Sequence, residues 1–190
     1  MSAVTLGLFG GAFDPPHDGH VALVRTAKEA LGLDRVLVLV ASDPGHKRIE
    51  TPAEVRLELA QAAFPDDEVV LDEHARTVDL LRDHPEWDDP FFLVGADQFA
   101  DFPGWKEPAE VLRLARLGVA ARPGYPRERL DATLAAIDAP ERVRFFELQP
   151  HAVSSHELRA DISGPGLPAE VRRIVERDGL YGIRRYPGAT

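Results

Sequence analysis

The chain alternates short, nearly continuous apolar runs with longer stretches whose apolar residues recur every three or four positions. Residues 4–9 are the first run, and the next stretch, 21–31, places Val21, Leu23, Val24, Ala27 and Leu31 on one helical face. Arg35–Ala41 is again almost wholly apolar, so strand, helix and strand form the βαβ unit of a parallel sheet with a right-handed crossover. The pattern continues with a helix over 52–64, apolar at Val55, Leu59, Ala62 and Ala63 and with Arg56 near its start. A weaker strand is expected at 68–72, a short helix at 77–84 with Thr77 as N-cap, and a buried strand at 90–94. A helix at 107–115, a strand at 117–121, an amphipathic helix at 127–136 and a sixth strand at 143–148, at a sheet edge, complete the series before a last helix at 168–177. This alternation predicts an α/β fold: a doubly wound, mostly parallel sheet of five to six strands, helices on both faces, Rossmann-like.

No repeat, low-complexity tract or linker interrupts the pattern, so residues 1–190 read as a single domain, with a poorly ordered tail from about 184 to 190. With 44% hydrophobic and 28% charged residues the composition is that of an ordinary globular protein. The absence of cysteine excludes a disulfide framework, a thiolate metal site and a thiol nucleophile. The longest strongly apolar run, 36–41, is far too short to cross a bilayer, and the chain enters its first strand without a basic segment or a cleavable apolar core. A cytoplasmic enzyme without a membrane partner is the simplest expectation. A formal charge of −10 argues against nucleic acid as the main partner, and any anionic ligand needs a local cationic patch to override that field. Self-association is left open.

Against this background one stretch stands out, Gly10-Gly11-Ala12-Phe13-Asp14-Pro15-Pro16-His17-Asp18-Gly19-His20, between the first strand and the first helix. The glycine pair lets backbone approach a ligand, the prolines stiffen the loop, and Gly19 permits a tight turn into the helix. His17 and His20 fall three apart at a helix start, where N–H groups and the macrodipole favour an anion. A glycine-rich strand-to-helix turn is common by itself, and neither G-x-G-x-x-G nor G-K-[ST] is present. Two imidazoles behind Gly-Gly and Pro-Pro are harder to explain as packing and point to a phosphate site.

The string G-G-x-F-D-P-x-H-x-G-H resembles the signature of the nucleotidyltransferase superfamily and, in detail, that of the bacterial nicotinate mononucleotide adenylyltransferases. The resemblance extends along essentially the whole chain. His46 and Lys47 are similar to the family's P-P-H-[KR] phosphate loop, although Asp43 and Pro44-Gly45 alter its prolines. Gly95-x-Asp97 after the fourth strand is similar to the family's G-x-D-x-[LF]; alone it would read as an Asx-capped turn, but in a doubly wound sheet strands one and four flank the switch point. Trp105, in a Pro-Gly turn, matches a tryptophan that stacks on the pyridine ring; the competing reading is a residue packed on Phe99 or Phe102. Arg122-Pro-Gly124 has a family counterpart, and Val153-Ser154-Ser155-His156-Glu157-Leu158-Arg159 resembles I-S-S-T-x-[IL]-R with His156 in place of threonine. Ser154-x-x-Glu157 is also a capping box, and a capped helix start can hold an anion.

The resemblance implies attack of a mononucleotide phosphate on the α-phosphorus of ATP, with His17, His20, Lys47 and Arg159 as the catalytic cations. Gly10, Gly11, Phe13, Gly19, His46, Gly95, Asp97, Trp105, Arg122, Ser154 and Ser155 would line the nucleotide sites. Mg²⁺ would be carried by phosphate oxygens and water, since the motifs offer no carboxylate cage. The acceptor implied is nicotinate mononucleotide, yet Asp72-Glu73-His74 stands where the family usually has S-Y-T. An acidic residue opposes a carboxylate there, whereas His74 or Arg76 would favour one. Nicotinamide mononucleotide or phosphopantetheine as acceptor, or a non-catalytic nucleotide-binding module, are the alternatives.

Overall fold

The computed structural model describes residues 4–45, 49–149 and 153–183. Six strands form one all-parallel sheet in the order β3-β2-β1-β4-β5-β6: β1 (Leu6–Gly11), β2 (Arg35–Ala41), β3 (Glu68–Asp72), β4 (Phe91–Gly95), β5 (Arg116–Ala121) and β6 (Val143–Glu147). The helices are α1 (Asp18–Leu31), α2 (Ala53–Ala63), α3 (Thr77–Asp83), α4 (Ala96–Asp101), α5 (Pro108–Leu114), α6 (Arg127–Ala136), α7 (Ser155–Ala160) and α8 (Ala169–Asp178). The predicted doubly wound α/β sheet is therefore present, with β6 at an edge as expected.

Period-two alternation assigns the strand side chains to two cores. Val36, Val38, Val40 and Leu93 pack beneath α1, α2 and α8, together with Ala27, Leu59, Val171 and Val175. Leu39, Phe92, Val94 and Val119 pack on the other face, against Val78 of α3, Phe99 of α4 and Val111 of α5. Both faces of every central strand are buried, which is why these strands read as unbroken apolar runs.

Several boundaries differ from the sequence reading for local reasons. β1 starts later and runs through the glycine pair, because Gly10 and Gly11 pair with Leu39 and Val40 of β2. His17, not a residue near 21, is the N-cap of α1, so Gly19 lies inside the first turn. Arg76 rather than Thr77 caps α3, Pro52 caps α2, and Pro168 caps α8, which ends at a left-handed Gly179. The segment after β4, read as a turn, is the short helix α4. The segment 46–48 and the tail 184–190 lie outside the described residues.

The register opens the functional crevice. β1 pairs with β2 over six positions but with β4 only at Gly7↔Phe91 and Leu8↔Phe92, while β4 continues alongside β5 to Gly95↔Ala120. Beyond Leu8 the two central strands diverge. The crossover from β1 goes one way and the chain returns to β4 on the other side, so the gap at their carboxyl ends is the topological switch point.

Candidate nucleotide-binding site

A cavity of about 690 Å³ occupies this gap. Its floor is Gly10, Gly11 and Gly95; its walls include His17, Gly19 and His20 from α1, Asp97 and Gln98 from α4, Arg122 after β5, and Ser154, Ser155, His156 and Arg159 from α7. Segments separated by more than a hundred residues thus converge on one space, as strands one and four flanking the switch point predict.

The two histidines are fixed by the helix start. His17 is buried at 9% exposure, and its ring stacks on that of His20 with centroids 3.7 Å apart and planes inclined by 23°. The His17 backbone N–H donates to His20 Nδ1 at 3.2 Å, so the His20 ring reaches back over the N-cap. The Asp18 N–H donates to Gly166 O at 2.9 Å, so part of the helix end expected to face an anion is already used, while Gly19 still lines the cavity. Phe13 borders the cavity, but its side chain is 2% exposed and meets Phe9, Phe64 and the His20 ring at 5.2–5.8 Å. Phe13 sits at φ 50°, a conformation rare for an aromatic residue, and a Cβ on Gly11 would come within 3.0 Å of its ring. A side chain at Gly11 would therefore crowd the buried Phe13 ring. A Cβ on Gly95 would meet nothing within 4 Å, so open space for a ligand, not crowding by protein, surrounds that glycine.

The turn between Gly11 and His17 makes no regular ladder, and side chains from elsewhere take its carbonyls. Arg159 Nη1 donates to Asp14 O at 2.6 Å, Ser155 Oγ to Pro15 O at 2.8 Å, and Arg56 Nη1 to Ala12 O at 2.8 Å. Ser154 caps α7 by accepting from the Glu157 N–H at 3.2 Å, the first half of the predicted capping box; the Glu157 carboxylate takes the Ser154 hydroxyl proton at 2.7 Å in place of the backbone N–H that would complete the box. Arg122 Nη2 donates to Asp97 Oδ2 at 2.9 Å across the cavity rim.

Arg56 was legible only as a polar residue near a helix start, yet it is 2% exposed. Besides Ala12 O it donates to Ala41 O at 2.7 Å, Ser42 O at 3.0 Å and Thr51 O at 3.1 Å. One planar fork thereby joins the ends of β1 and β2 to the far side of the 42–51 loop. Burial pushes its pKa below the ordinary value, and the Asp14 carboxylate opposes that shift. The signal that could have revealed Arg56 is its place at the interior edge of α2, one position from Val55 and three before Leu59.

His46 and Lys47, expected at this site, lie outside the described residues; Ile49, just beyond them, lines the cavity. Trp105 is not among the lining residues. Its ring packs edge-on against Phe102 at 5.2 Å and Phe92 at 6.1 Å, the contact with Phe102 that the alternative reading anticipates. His74, weighed as a welcome for a carboxylate, has both ring nitrogens engaged: Nδ1 with Asp72 Oδ1 at 2.7 Å and Nε2 with Asp83 Oδ2 at 3.0 Å. Arg76 Nη1 donates to its neighbour's carbonyl, Ala75 O, at 2.8 Å. Gln98, which accepts from the Gly95 N–H at 3.1 Å, and His156 line the cavity although the first was not singled out from the sequence. Among the described residues no group of three or more His, Asp or Glu is arranged to hold a metal, and no helix is long and apolar enough to cross a membrane.

Comparison with known proteins agrees with this geometry. The model of the cytidylyltransferase-like family matches residues 8–161. A Thermus thermophilus protein named "Probable nicotinate-nucleotide adenylyltransferase" is 36% identical over 193 residues, spanning 93% of this chain and 98% of its own. One from Rubrobacter xylanophilus with the same name is 32% identical over 195 residues, spanning 93% and 91%. Among solved structures, the Plasmodium falciparum nicotinic acid mononucleotide adenylyltransferase complexed with APC superposes with a TM-score of 0.73 at 15% identity, covering 97% of this chain and 100% of that one, a likeness of fold. Sheet order, cavity and family match together define a nucleotidyltransferase of the cytidylyltransferase-like class. Within that class the chain belongs to the nicotinate-nucleotide adenylyltransferase family.

Two consequences concern the scaffold. Arg56→Lys leaves three donors on a flexible stem where a fixed fork serves four carbonyls, and stability is expected to fall by about 3 kcal/mol in urea unfolding with the slope unchanged. The second concerns His74. Its burial lowers its pKa, but the hydrogen bonds to Asp72 and Asp83 outweigh this and raise it above the ordinary 6.5. A raised folded-state pKa stabilises the fold fully below about pH 6.5 and loses that stabilisation as pH rises through the folded value. The unfolding midpoint of the wild-type protein should therefore fall relative to His74→Gln between pH 6 and pH 9, and parallel profiles would show that the bridge contributes nothing.

Proposed function

We propose that the protein transfers the adenylyl group of ATP to nicotinate mononucleotide, giving the deamido-dinucleotide and pyrophosphate, as a step of NAD biosynthesis. The observation that carries this reading is the convergence of a stacked imidazole pair, Arg159 and the Ser154–Ser155 helix start on one cavity at the switch point. The relatives' names supply the substrate: two curated proteins that match nearly the whole chain are named for nicotinate nucleotide, and solved structures of similar fold hold APC or NaAD.

The acceptor phosphate oxygen attacks the α-phosphorus, the bond to the bridging oxygen breaks, and pyrophosphate leaves with that electron pair. No side-chain nucleophile is needed, so the work is alignment and neutralisation of charge. Holding two anions in line can remove about 7–11 kcal/mol of barrier. In this reading His17 and His20 donate to α- and β-phosphate oxygens as charge moves to the leaving group, and Arg159 and Lys47 hold the departing pyrophosphate. Gly10 and Gly95 let backbone lie close to the nucleotide, with Asp97 and Arg122 at its rim. Trp105 and His46 complete the family's substrate contacts. Mg²⁺ would be held by phosphate oxygens and water and would supply further neutralisation of the phosphate charge.

The acceptor side is where the chain differs from its family pattern. With both nitrogens of His74 occupied, Arg76 is the remaining cation of the β3–α3 loop available for a nicotinate carboxylate. Purified protein is expected to form a dinucleotide from ATP and nicotinate mononucleotide, resolved by chromatography, at a higher kcat/KM than with nicotinamide mononucleotide and with no product from phosphopantetheine. Equal rates with the two pyridine nucleotides would remove charge discrimination; no product with either would overturn the reading. His20→Ala should lower kcat by about 10²–10³-fold while ATP binding, followed by calorimetry, changes much less.

A further inference from the structure

The C-terminal turn carries a contact that the reaction scheme does not use. The Tyr181 hydroxyl donates to Asp14 Oδ1 at 2.7 Å, joining residues 167 positions apart. Asp14 is 3% exposed and belongs to the turn that leads into His17. Its backbone carbonyl is held by Arg159 at 2.6 Å, and its second carboxylate oxygen lies 4.0 Å from the same guanidinium. A buried carboxylate beside a polyphosphate site is unfavourable unless it is fully hydrogen-bonded, and the phenol supplies one of its donors.

The backbone adopts a rare conformation to deliver that donor. Tyr181 sits at φ 55°, ψ 35°, between the left-handed Gly179 (φ 67°) and Gly182 (φ 81°). Glycine accepts this region freely and tyrosine does not, so the side chain must be constrained there by its contacts. Packing of the ring needs only a phenylalanine; the hydroxyl is what reaches Asp14. Burial, then the Asp14 carboxylate, push the phenol's pKa well up, which keeps it a donor throughout the working pH range.

We propose that Tyr181 is a positioning residue for nucleotidyl transfer, setting the place of the His17–His20 pair through its hydrogen bond to the Asp14 carboxylate. The inference rests on the adenylyl-transfer reading above. Arg159, Ser155 and Arg56 hold the turn by its carbonyls, whereas Tyr181 holds it by a side chain and fixes its rotation about the chain. The turn at residues 180–182 is therefore part of the active-site support.

The test is a double-mutant cycle in the full chain, with kcat and KM for ATP and nicotinate mononucleotide measured at 25 °C for wild type, Tyr181→Phe, His20→Ala and the double variant, and Tm measured for each. Tyr181→Phe is expected to lose about tenfold in kcat with KM for ATP within about threefold, since small misplacements of reacting groups act on kcat. In the His20→Ala background the same change should cost clearly less, about threefold, because one of the two imidazoles it positions is gone. A loss of folded molecules would lower activity by the same factor in both backgrounds, so equal factors overturn the proposal. So does wild-type kcat in Tyr181→Phe, or a loss confined to KM. An inactive wild type would instead overturn the adenylyl-transfer reading.

Discussion

A turn that leaves a sheet and enters a helix has backbone carbonyls with no ladder to join, and in a buried place each must find a donor. In this protein the turn 12–15 solves that requirement with three side chains from two distant segments: Arg56 on Ala12, and Arg159 on Asp14 and Ser155 on Pro15. The arrangement ties α2 and α7 to the end of β1. It also forces the residues that would touch phosphate to be neighbours. Arg159 illustrates the economy: one nitrogen fixes the turn while the rest of the guanidinium lines the cavity.

The same arrangement answers a charge problem. The chain carries a formal −10, and a nucleotide triphosphate adds more negative charge to it. Inside the cavity the balance is local. Asp97 is paired with Arg122, and Asp14, which also lines the space, accepts from the Tyr181 hydroxyl, so neither carboxylate is unattended. His17, His20, His156 and Arg159 line the same space, so basic side chains outnumber the acidic ones there. Net charge over the whole surface thus says little about the ligand, because the interaction that matters acts over a few ångströms in a partly enclosed space.

Much of the fold could be read from the chain because its physical determinants are local. Buried parallel strands are apolar on both faces, so the bounds of Arg35–Ala41 follow from its apolar run; the edge strand Glu68–Asp72 and helix α6 also have the expected bounds. Boundaries set by capping were less accessible. His17 caps α1 without belonging to the usual capping residues, and α4 is too short to show a period. Most of the candidate site was also legible, since the H-x-G-H, G-x-D and Ser-Ser-x-x-x-Arg strings each fall on the cavity wall. Arg56 and Tyr181 were not. Each acts through a hydrogen bond to a residue distant in sequence, and no spacing within the chain encodes such a partner.

Trp105 and His74 show how the surroundings bear differently on the chemistry that a residue type suggests. The Trp105 ring in its Pro-Gly turn is packed at an edge by both Phe102 and Phe92. Such packing does not remove a ring face from use; it fixes the angle at which a face can be offered, which lowers the entropy lost on binding. For His74 the outcome is different in kind. Two carboxylates saturate both donors, so a substrate carboxylate would have to displace one of them and leave it unpaired. The aromatic contact therefore leaves a ligand role open to Trp105, whereas the double bridge confines His74 to holding the end of β3 against α3.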